Sequence, residues 1–369
     1  MSFRKSAADD NVMERSIDEL LRQTVLKKGS DLHIAVAKKP CIRINGALTE
    51  EEDWSPLKPQ EVEDLLMPLL KEEQKAHLRE VWELDFSYAI QDCGRFRGNI
   101  IWQRGTLAAV FRAVPFVIPK FDDLGLPDDA RRLCSLPRGL VLVTGPTGSG
   151  KSTTLAAMIN LINENLAHNI VTVEDPIEFL HSHKRSIIRQ REIGTDTHSF
   201  ANALRQVLRH DPDVIMIGEM RDVESIGIAV TAAETGHLVF STLHTQTAPL
   251  TISRIIDSFP EGQRQQIRQQ LANSLRAVIS QKLLPTADGK GRVAAIEYMI
   301  DTPAVRSIIR EGKEHQLYSS IQTGQNVGMQ TLDQALLRLM QQGRVTRKDA
   351  LENAVDRSEL ERLIQQAVF

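Results

Sequence analysis

The fold is decided by one stretch of sequence, Gly145-Pro146-Thr147-Gly148-Ser149-Gly150-Lys151-Ser152. It matches the pattern G-x-x-x-x-G-K-[ST], in which glycines let successive backbone N–H groups converge on phosphate oxygens. The lysine of this pattern places a charge at the β- and γ-phosphates, and the Ser152 hydroxyl is a typical Mg²⁺ ligand. An apolar run, residues 140–144, precedes the loop, and a helical segment begins after it at Thr153. A strand before the loop and a helix after it predict a nucleotide site formed by residues 145–153.

Short apolar runs and helical segments alternate along this half of the chain. The runs are residues 140–144, 170–173, 214–217 and 238–242, and the helical segments are residues 153–163, 199–209 and 222–234. Strands buried on both faces are typically apolar throughout, so this alternation predicts an α/β domain with a parallel sheet covered by helices. After Pro260 the pattern becomes mostly helical. An apolar stripe there is typical of core packing and consists of Leu332, Ala335, Leu336, Leu339 and Met340.

A different pattern precedes the α/β domain. We predict that residues 1–16 are a disordered lead-in, since apolar residues at helical spacing begin only at Ile17. Short apolar stretches then alternate with polar breaks and one helical segment, residues 59–79, which predicts a small α+β domain over residues 17–114. Prolines 115 and 119 interrupt regular structure, so residues 115–122 are predicted to link it to the α/β domain, residues 123–369.

A carboxylate after the third apolar run is the candidate general base. Hydrolysis needs a group that orients the attacking water, in addition to the phosphate loop. The run 214–217 leads into Gly218 and Glu219. A mere capping role for Glu219 is disfavoured, because Asp222 already provides a cap for the next helix.

A second acidic cluster, Glu174-Asp175-Pro176-Ile177-Glu178, follows the run 170–173. Because Gly218 has no carboxylate, we expect metal support from this cluster, directly or through water, with Glu174 and Glu178 as the main contributors.

Two histidines flank the run 238–242. We expect a parallel sheet to bring this strand near the phosphate loop, so His237 and His244 are both candidates for sensing nucleotide. Either could be an ordinary hydrogen-bonded polar residue. His244, placed among the hydroxyls of residues 242–245, is the better candidate for sensing the γ-phosphate.

The N-terminal domain carries a dense group of arginines, Arg95, Arg97, Arg104 and Arg112. One interpretation is a solvated charged face. The alternative is an arginine finger that one subunit supplies to the nucleotide of its neighbour, which predicts an oligomer with ATP at subunit boundaries.

Composition restricts the compartment and the partners. The chain has 45 basic and 48 acidic residues, a net charge of −3, and only 5% aromatic residues. It lacks the bulk positive field and the basic aromatic strands of nucleic-acid motors, which makes such a motor the weaker alternative. Three scattered cysteines favour the reducing cytoplasm. No run of about 18 apolar residues occurs, so membrane contact is expected to be peripheral, without insertion.

Four motifs in this order resemble the secretion-type ATPases of type II secretion and type IV pili. They are the phosphate loop, the acidic box Val173 to Phe179, the atypical Walker B segment Ile217 to Asp222, and the histidine box Thr235 to Thr245. Within that family the chain is similar to the pilus retraction ATPases from about residue 17 nearly to its end. The resemblance implies a PAS-like N-terminal domain, a RecA-like P-loop ATPase domain with a helical C-terminal region, and a homohexamer that hydrolyses Mg-ATP.

The resemblance also implies roles for individual residues. Lys151 and Ser152 match the Walker A pair, and Glu219 matches the catalytic glutamate. Glu178 matches the acidic-box carboxylate, and His244 the functional histidine. Arg97 and Arg112 match arginines donated towards nucleotide, which strengthens the finger interpretation. Residues 304–311, AVRSIIRE, resemble the family motif AIRNLIRE, which is tied to retraction.

The expected partners follow from the same resemblance. They are other copies of this chain, an inner-membrane pilus platform protein and a paralogous retraction ATPase. No cysteine follows Cys134, so the four-cysteine zinc site of the extension and secretion relatives cannot form, and we expect no further N-terminal domain. Retraction is therefore favoured over pilus assembly or secretion. An accessory retraction ATPase remains the nearest alternative.

Overall fold

The computed structural model describes residues 16–44, 46–114 and 117–367. The chain divides into two compact units, the first ending at Phe116 and the second beginning at Val117. Residues 1–15 of the predicted lead-in, and Pro115 and Phe116 of the predicted linker, lie outside the described residues. The finer boundaries at residues 114 and 122 stay predictions.

The first unit is built on an antiparallel sheet of six strands in the order β3-β2-β1-β6-β5-β4. The strands are β1 (Asp31–Ile34), β2 (Cys41–Ile44), β3 (Ala47–Glu50), β4 (Glu83–Ile90), β5 (Gly94–Gln103) and β6 (Thr106–Val114). The helices are α1 (Ile17–Leu26), α2 (Pro59–Leu66) and α3 (Glu72–Val81). Helix α1 buries Ile17, Leu20, Leu21 and Thr24 at helical spacing, but Val25, which has the same spacing, is exposed.

The prediction of one helix over residues 59–79 is wrong. Helix α2 ends at Leu66, a 3-10 turn covers Met67–Leu69, and α3 begins at Glu72. Pro68 explains the break, because proline lacks the N–H that a helix interior needs and its ring clashes with the preceding turn. Strand β3 was not predicted because its four residues are all exposed and carry no apolar alternation.

The second unit contains a sheet of seven strands in the order β13-β12-β7-β11-β10-β8-β9. The strands are β7 (Gly139–Thr144), β8 (Asn169–Glu174), β9 (Ile187–Glu192), β10 (Val214–Ile217), β11 (Leu238–Leu243), β12 (Leu275–Pro285) and β13 (Arg292–Ile300). Every pairing is parallel except that of β12 with β13. The predicted parallel sheet is therefore confirmed.

Helices cover both faces of this sheet. Those that follow its strands are α4 (Lys151–Asn165), α5 (Phe200–Val207), α6 (Val223–Thr235), α7 (Ala248–Asp257) and α8 (Glu261–Ser274). The C-terminal helices are α9 (Pro303–Arg310), α10 (Leu317–Thr323), α11 (Leu332–Gln341), α12 (Arg347–Asn353) and α13 (Arg357–Ala367). Alternate residues of β7 enter different cores: Leu140 and Leu142 lie in one, and Val141 and Val143 in the other. This explains why the central strands are apolar throughout.

The expectation of a mostly helical chain after Pro260 is only partly correct. Strands β12 and β13 form a long antiparallel hairpin there. Polar residues within β12 obscured the strand in the sequence, but Ser280 and Gln281 are buried and hydrogen-bonded. Strand β9 was also missed, because it lies at the edge of the sheet and contains mostly polar residues.

The parallel register brings four strand ends to one edge of the sheet. Thr144 of β7 pairs with Leu243 of β11, and Ile217 of β10 pairs with Val173 of β8. The segments that follow these strands carry the phosphate loop, the histidine box, Glu219 and the acidic box. Carboxyl ends of parallel strands are where open α/β sheets bind ligands.

A buried carboxyl group lies beneath this edge. Glu297 of β13 is fully buried, and its Oε1 accepts a hydrogen bond from the backbone N–H of Ala248 at the start of α7. Burial raises the pKa of Glu297 from 4.5 to about 7, although hydrogen bonds from backbone N–H groups oppose the shift. Between these two values the folded chain binds more protons than the unfolded chain, so its stability falls as pH rises.

We predict that Glu297→Gln reduces this pH dependence. The free energy of unfolding of the wild type should fall by on the order of 2 kcal/mol between about pH 5 and pH 7 through this group, and the variant should lose that component. Burial also raises the pKa of Glu174 to about 7, so Glu174 makes the same contribution to the pH dependence of stability in both proteins. Denaturant titrations at the two pH values measure the difference. If the free energy of unfolding changed between the two pH values by the same amount in the variant and in the wild type, Glu297 would not be the source of this pH dependence.

Candidate functional site

The phosphate loop connects β7 to α4, as the sequence predicts. Gly145, Gly148 and Gly150 have φ angles of 143°, 79° and 91°, a region that side chains disfavour. At Gly145 a Cβ atom would also lie 2.2 Å from the backbone oxygen of Gln281 in β12. The loop can therefore adopt this path only with glycine at its first position.

Lys151 is buried at the start of α4. Its Nζ donates hydrogen bonds to the backbone oxygens of Gly145, at 2.9 Å, and Pro146, at 3.1 Å. Burial lowers the pKa of Lys151 below its ordinary value, and the nearby carboxylates of Glu219 and Glu178 partly oppose this shift. Two carbonyl groups of the loop thus solvate the buried positive charge of Lys151. A bound anion can replace these carbonyl groups as the partner of the ammonium group.

The hydroxyl groups of the loop fit a phosphate and its metal. Ser152 and Thr153 lie half-buried in the first turn of α4, where backbone N–H groups are free of helical partners. The buried Ser149 Oγ has no hydrogen-bond partner among the residues that the structure describes. An unpaired buried hydroxyl beside convergent N–H groups is suited to an anionic ligand. The chemistry of residues 145–153 therefore fits a nucleotide with Mg²⁺.

Glu219 follows β10 after one residue, Gly218, and faces two donors. Its Oε1 is 3.1 Å from Nε2 of His244, and its Oε2 accepts a hydrogen bond of 2.7 Å from Nε of Arg221. Arg221 also contacts Oδ2 of Asp175 at 3.1 Å, so it connects Glu219 to the acidic box. Nothing in the spacing of the sequence indicated this role for Arg221. Asp222 caps α6 by accepting from the backbone N–H of Ser225, as predicted.

His244 connects Glu219 to Lys151. Nδ1 of its ring lies 3.5 Å from Nζ of Lys151, on the opposite side from the contact with Glu219. An ammonium group can only donate, so Nδ1 must accept, and Nε2 must carry the proton that it donates to Glu219. In this arrangement Nδ1 of His244 is the acceptor from Lys151 and Nε2 is the donor to Glu219.

The acidic box divides into one buried and two exposed carboxyl groups. Glu174 is buried, and its Oε1 accepts from Thr172 Oγ1 at 2.6 Å and Gln190 Nε2 at 3.0 Å. Burial raises the pKa of Glu174 to about 7, against the effect of these hydrogen bonds. Asp175 and Glu178 are exposed. The surroundings of Glu174 favour a role in holding the box rather than metal coordination.

His237 lies away from the phosphate loop. Leu238, the first residue of β11, pairs with Gly139, the first residue of β7, so His237 lies at the amino edge of the sheet. The phosphate loop follows the other end of β7, roughly 20 Å away for a strand of this length. The Nδ1 atom of His237 is 3.1 Å from the backbone oxygen of Ala232 at the end of α6. His237 is thus a structural residue of the α6–β11 turn.

Arg97 and Arg112 form a cross-strand pair in the first unit. They lie directly opposite each other on β5 and β6, and both are exposed. Nε of Arg112 donates to Oδ1 of the buried Asp31 at 2.8 Å. The turn of Arg104 and Gly105, with φ angles of 49° and 75°, sets this register. A two-residue turn at that position could have identified the pair from the sequence.

The described residues contain neither a cluster of metal ligands nor a helix that could span a membrane. No group of three or more His, Cys, Asp or Glu side chains is placed to bind a metal ion within residues 16–44, 46–114 and 117–367. In the same residues, no helix has the length and apolar character needed to span a bilayer.

Comparison with known proteins places these motifs in context. A model of the family described as type II/IV secretion system protein matches residues 110–366. The type IV pilus retraction ATPase PilT of Pseudomonas aeruginosa is 47% identical over 338 residues, which are 92% of this chain and 98% of PilT. The type IV pilus ATPase PilU of the same organism is 41% identical over 348 residues, which are 94% of this chain and 91% of PilU.

A solved structure extends the likeness to three dimensions. The crystal structure of the pilus retraction motor PilT with bound ADP superimposes with a TM-score of 0.89 at 47% identity, and the match covers 95% of this chain and all of that one. The family model, the two relatives and this structure agree. The chain belongs to the type II/IV secretion system protein family.

Proposed function

We propose that this chain is an ATPase that uses Mg-ATP hydrolysis to power retraction of a type IV pilus. The observation that carries the proposal is the continuous contact from Lys151 through His244 to Glu219 at the edge of the sheet where the phosphate loop lies. It joins a phosphate-binding group to a candidate base. The greater identity to PilT than to PilU, 47% against 41%, supports retraction over an accessory role.

Binding of nucleotide would replace internal contacts of the loop. The backbone N–H groups that follow Pro146 in the loop would bind the phosphate oxygens, and the Lys151 ammonium would move from the carbonyl groups of Gly145 and Pro146 to the phosphates. This movement removes the donor from Nδ1 of His244. Once Nδ1 carries a proton, it could donate a hydrogen bond to a γ-phosphate oxygen while Nε2 stays on Glu219.

Hydrolysis would use Glu219 as the base that orients the attacking water. Its carboxylate is held from two sides, by His244 and Arg221, so its direction is fixed before the substrate arrives. Mg²⁺ would be held by Ser152 and, through water, by Glu178, where it neutralises charge on the β- and γ-phosphates. Glu174 would position the acidic box instead of binding the metal.

We further propose a homohexamer in which Arg97 and Arg112 act on the nucleotide of a neighbouring subunit. Both side chains are exposed and adjacent, so together they present two guanidinium groups to an approaching phosphate. Closure of one N-terminal unit over the ATP of the next subunit would supply them, and release after hydrolysis would withdraw them. This cycle would convert hydrolysis into movement.

The proposed site of action is the cytoplasmic side of the inner membrane at the pilus base. There the ring would act on the platform protein of the pilus, alongside a paralogous retraction ATPase. The motif in α9 would belong to this mechanical output rather than to hydrolysis. In α9, Arg306 contacts Asp301 at 2.7 Å, and Ser307 donates to Glu311 at 2.6 Å.

Substitutions at Lys151 and Glu219 should separate binding from hydrolysis. Glu219→Gln is expected to lower ATP turnover by about 10²- to 10⁴-fold while retaining ATP binding, because only the base is lost. Lys151→Ala is expected to weaken ATP binding itself. Phosphate release and equilibrium binding of a fluorescent ATP analogue measure the two effects.

Glu261→Gln is the matched control, because Glu261 is an exposed carboxylate in the first turn of α8. It should leave both measurements unchanged. Wild-type turnover by Glu219→Gln would remove Glu219 from the mechanism.

Mixed assemblies test whether Arg97 acts between subunits. Arg97→Ala alone should lower turnover by about 10³-fold or more, and Lys151→Ala alone should be inactive. In mixed assemblies, some subunits with an intact Lys151 lie next to a subunit with an intact Arg97. Partial recovery of ATP turnover is therefore expected. Arg104→Ala, at the exposed tip of the same hairpin, should keep full activity. No recovery at any mixing ratio would contradict action between subunits.

Deletion of the gene tests the biological direction. Cells without the chain should carry more surface pili and lose twitching motility, because filaments assemble but are not withdrawn. Pilus counts by electron microscopy and the spread of surface colonies measure this. Cells without pili would indicate an assembly ATPase, and cells that twitch with reduced force would indicate the accessory role.

A further inference from the structure

A buried glutamine outside the four motifs contacts the phosphate loop at two places. Gln281 lies on β12 and is 3% exposed. Its Nε2 donates to the backbone oxygen of Ser149 at 2.7 Å, and its Oε1 accepts from Thr154 Oγ1 at 3.0 Å. The side chain therefore joins the last part of the loop to the first turn of α4.

The contact with Ser149 fixes the direction of one peptide group. The Ser149 C=O and the Gly150 N–H belong to the same planar peptide, in which the two bonds point in opposite directions. Because the carbonyl is held towards Gln281, the Gly150 N–H points away from β12. In a phosphate loop, N–H groups at this position are the ones that receive phosphate oxygens.

Close packing limits the alternatives for this peptide. A Cβ atom at Gly150 would lie 3.1 Å from Nε2 of Gln281, and one at Gly145 would lie 2.2 Å from its backbone oxygen. The preceding residue, Ser280, accepts a hydrogen bond of 2.8 Å from Thr144 Oγ1 at the end of β7. Strand β12 thus contacts the loop at its beginning, next to Gly145, and near its end, at Ser149 and Gly150.

We propose that Gln281 is a positioning residue for phosphate binding. Its side-chain amide holds the Ser149–Gly150 peptide so that the Gly150 N–H is directed at the nucleotide before the nucleotide binds. This inference rests on the proposed function of residues 145–153 as a nucleotide site. It adds β12 to the site, although Gln281 itself touches no phosphate.

The test is ADP binding, with Mg²⁺ present, to the full chain and two variants. Gln281→Met keeps the size of the side chain but removes the donor. Gln281→Asn keeps an amide but withdraws it by one methylene, so that it cannot reach Ser149. Both are expected to raise the dissociation constant for ADP by about tenfold or more, the scale of one lost hydrogen bond that serves a charged ligand. Calorimetry measures binding, and circular dichroism verifies that each variant is folded.

Gln330→Met is the matched control, because Gln330 is also buried and donates to a backbone oxygen, that of Ile296, at 2.7 Å. Gln330→Met should lower the melting temperature about as much as the Gln281 variants do, and it should leave ADP affinity unchanged. Affinity within twofold of the wild type for either folded Gln281 variant would overturn the proposal, as would an equal loss in Gln330→Met. Failure of the wild type itself to bind ADP would instead overturn the proposed function.

Discussion

The burial of one positive charge, that of Lys151, is the constraint on which the site depends. An ammonium group taken out of water needs acceptors, and Lys151 has two carbonyl oxygens of the loop and the Nδ1 of His244, which follows β11. Glu219 and Glu178 provide the nearby negative charge. Each of these acceptors stands where it does because a strand ends there. The loop is therefore charged, compact and ready to exchange internal acceptors for phosphate oxygens.

The register of the parallel sheet supplies that arrangement. Strands β7, β8, β10 and β11 all deliver their carboxyl ends to one edge, so segments far apart in sequence meet within hydrogen-bond distance. Strand β12 extends the same parallel order and places Gln281 against the loop. The chemistry is thus a consequence of strand direction, and the helices on both faces exclude water from the strands that carry it.

The sequence alone predicts that the loop, Glu219 and His244 lie at one edge of the sheet. Each follows an apolar run, and residues that follow parallel strands lie at the carboxyl edge. Chain order alone separates His237 from the loop, because His237 precedes β11 whereas the loop follows β7, and parallel strands then place the two at opposite edges of the sheet. The roles of Gln281 and Gln190 are not predicted by the sequence, because polar residues in their strands conceal the apolar pattern. Pairing partners such as Arg221 with Asp175 depend on side-chain packing between distant segments, and no spacing in one sequence encodes that.

The most direct test of this account is a structure of the assembled protein with Mg²⁺ and a non-hydrolysable ATP analogue. In that structure, Nζ of Lys151 should leave the carbonyl oxygens of Gly145 and Pro146, now 2.9 and 3.1 Å away, and contact phosphate oxygens. Glu219 should face the γ-phosphate across a water molecule while keeping its contact with His244. A nucleotide bound elsewhere, with Lys151 still on its two carbonyl groups, would contradict the account.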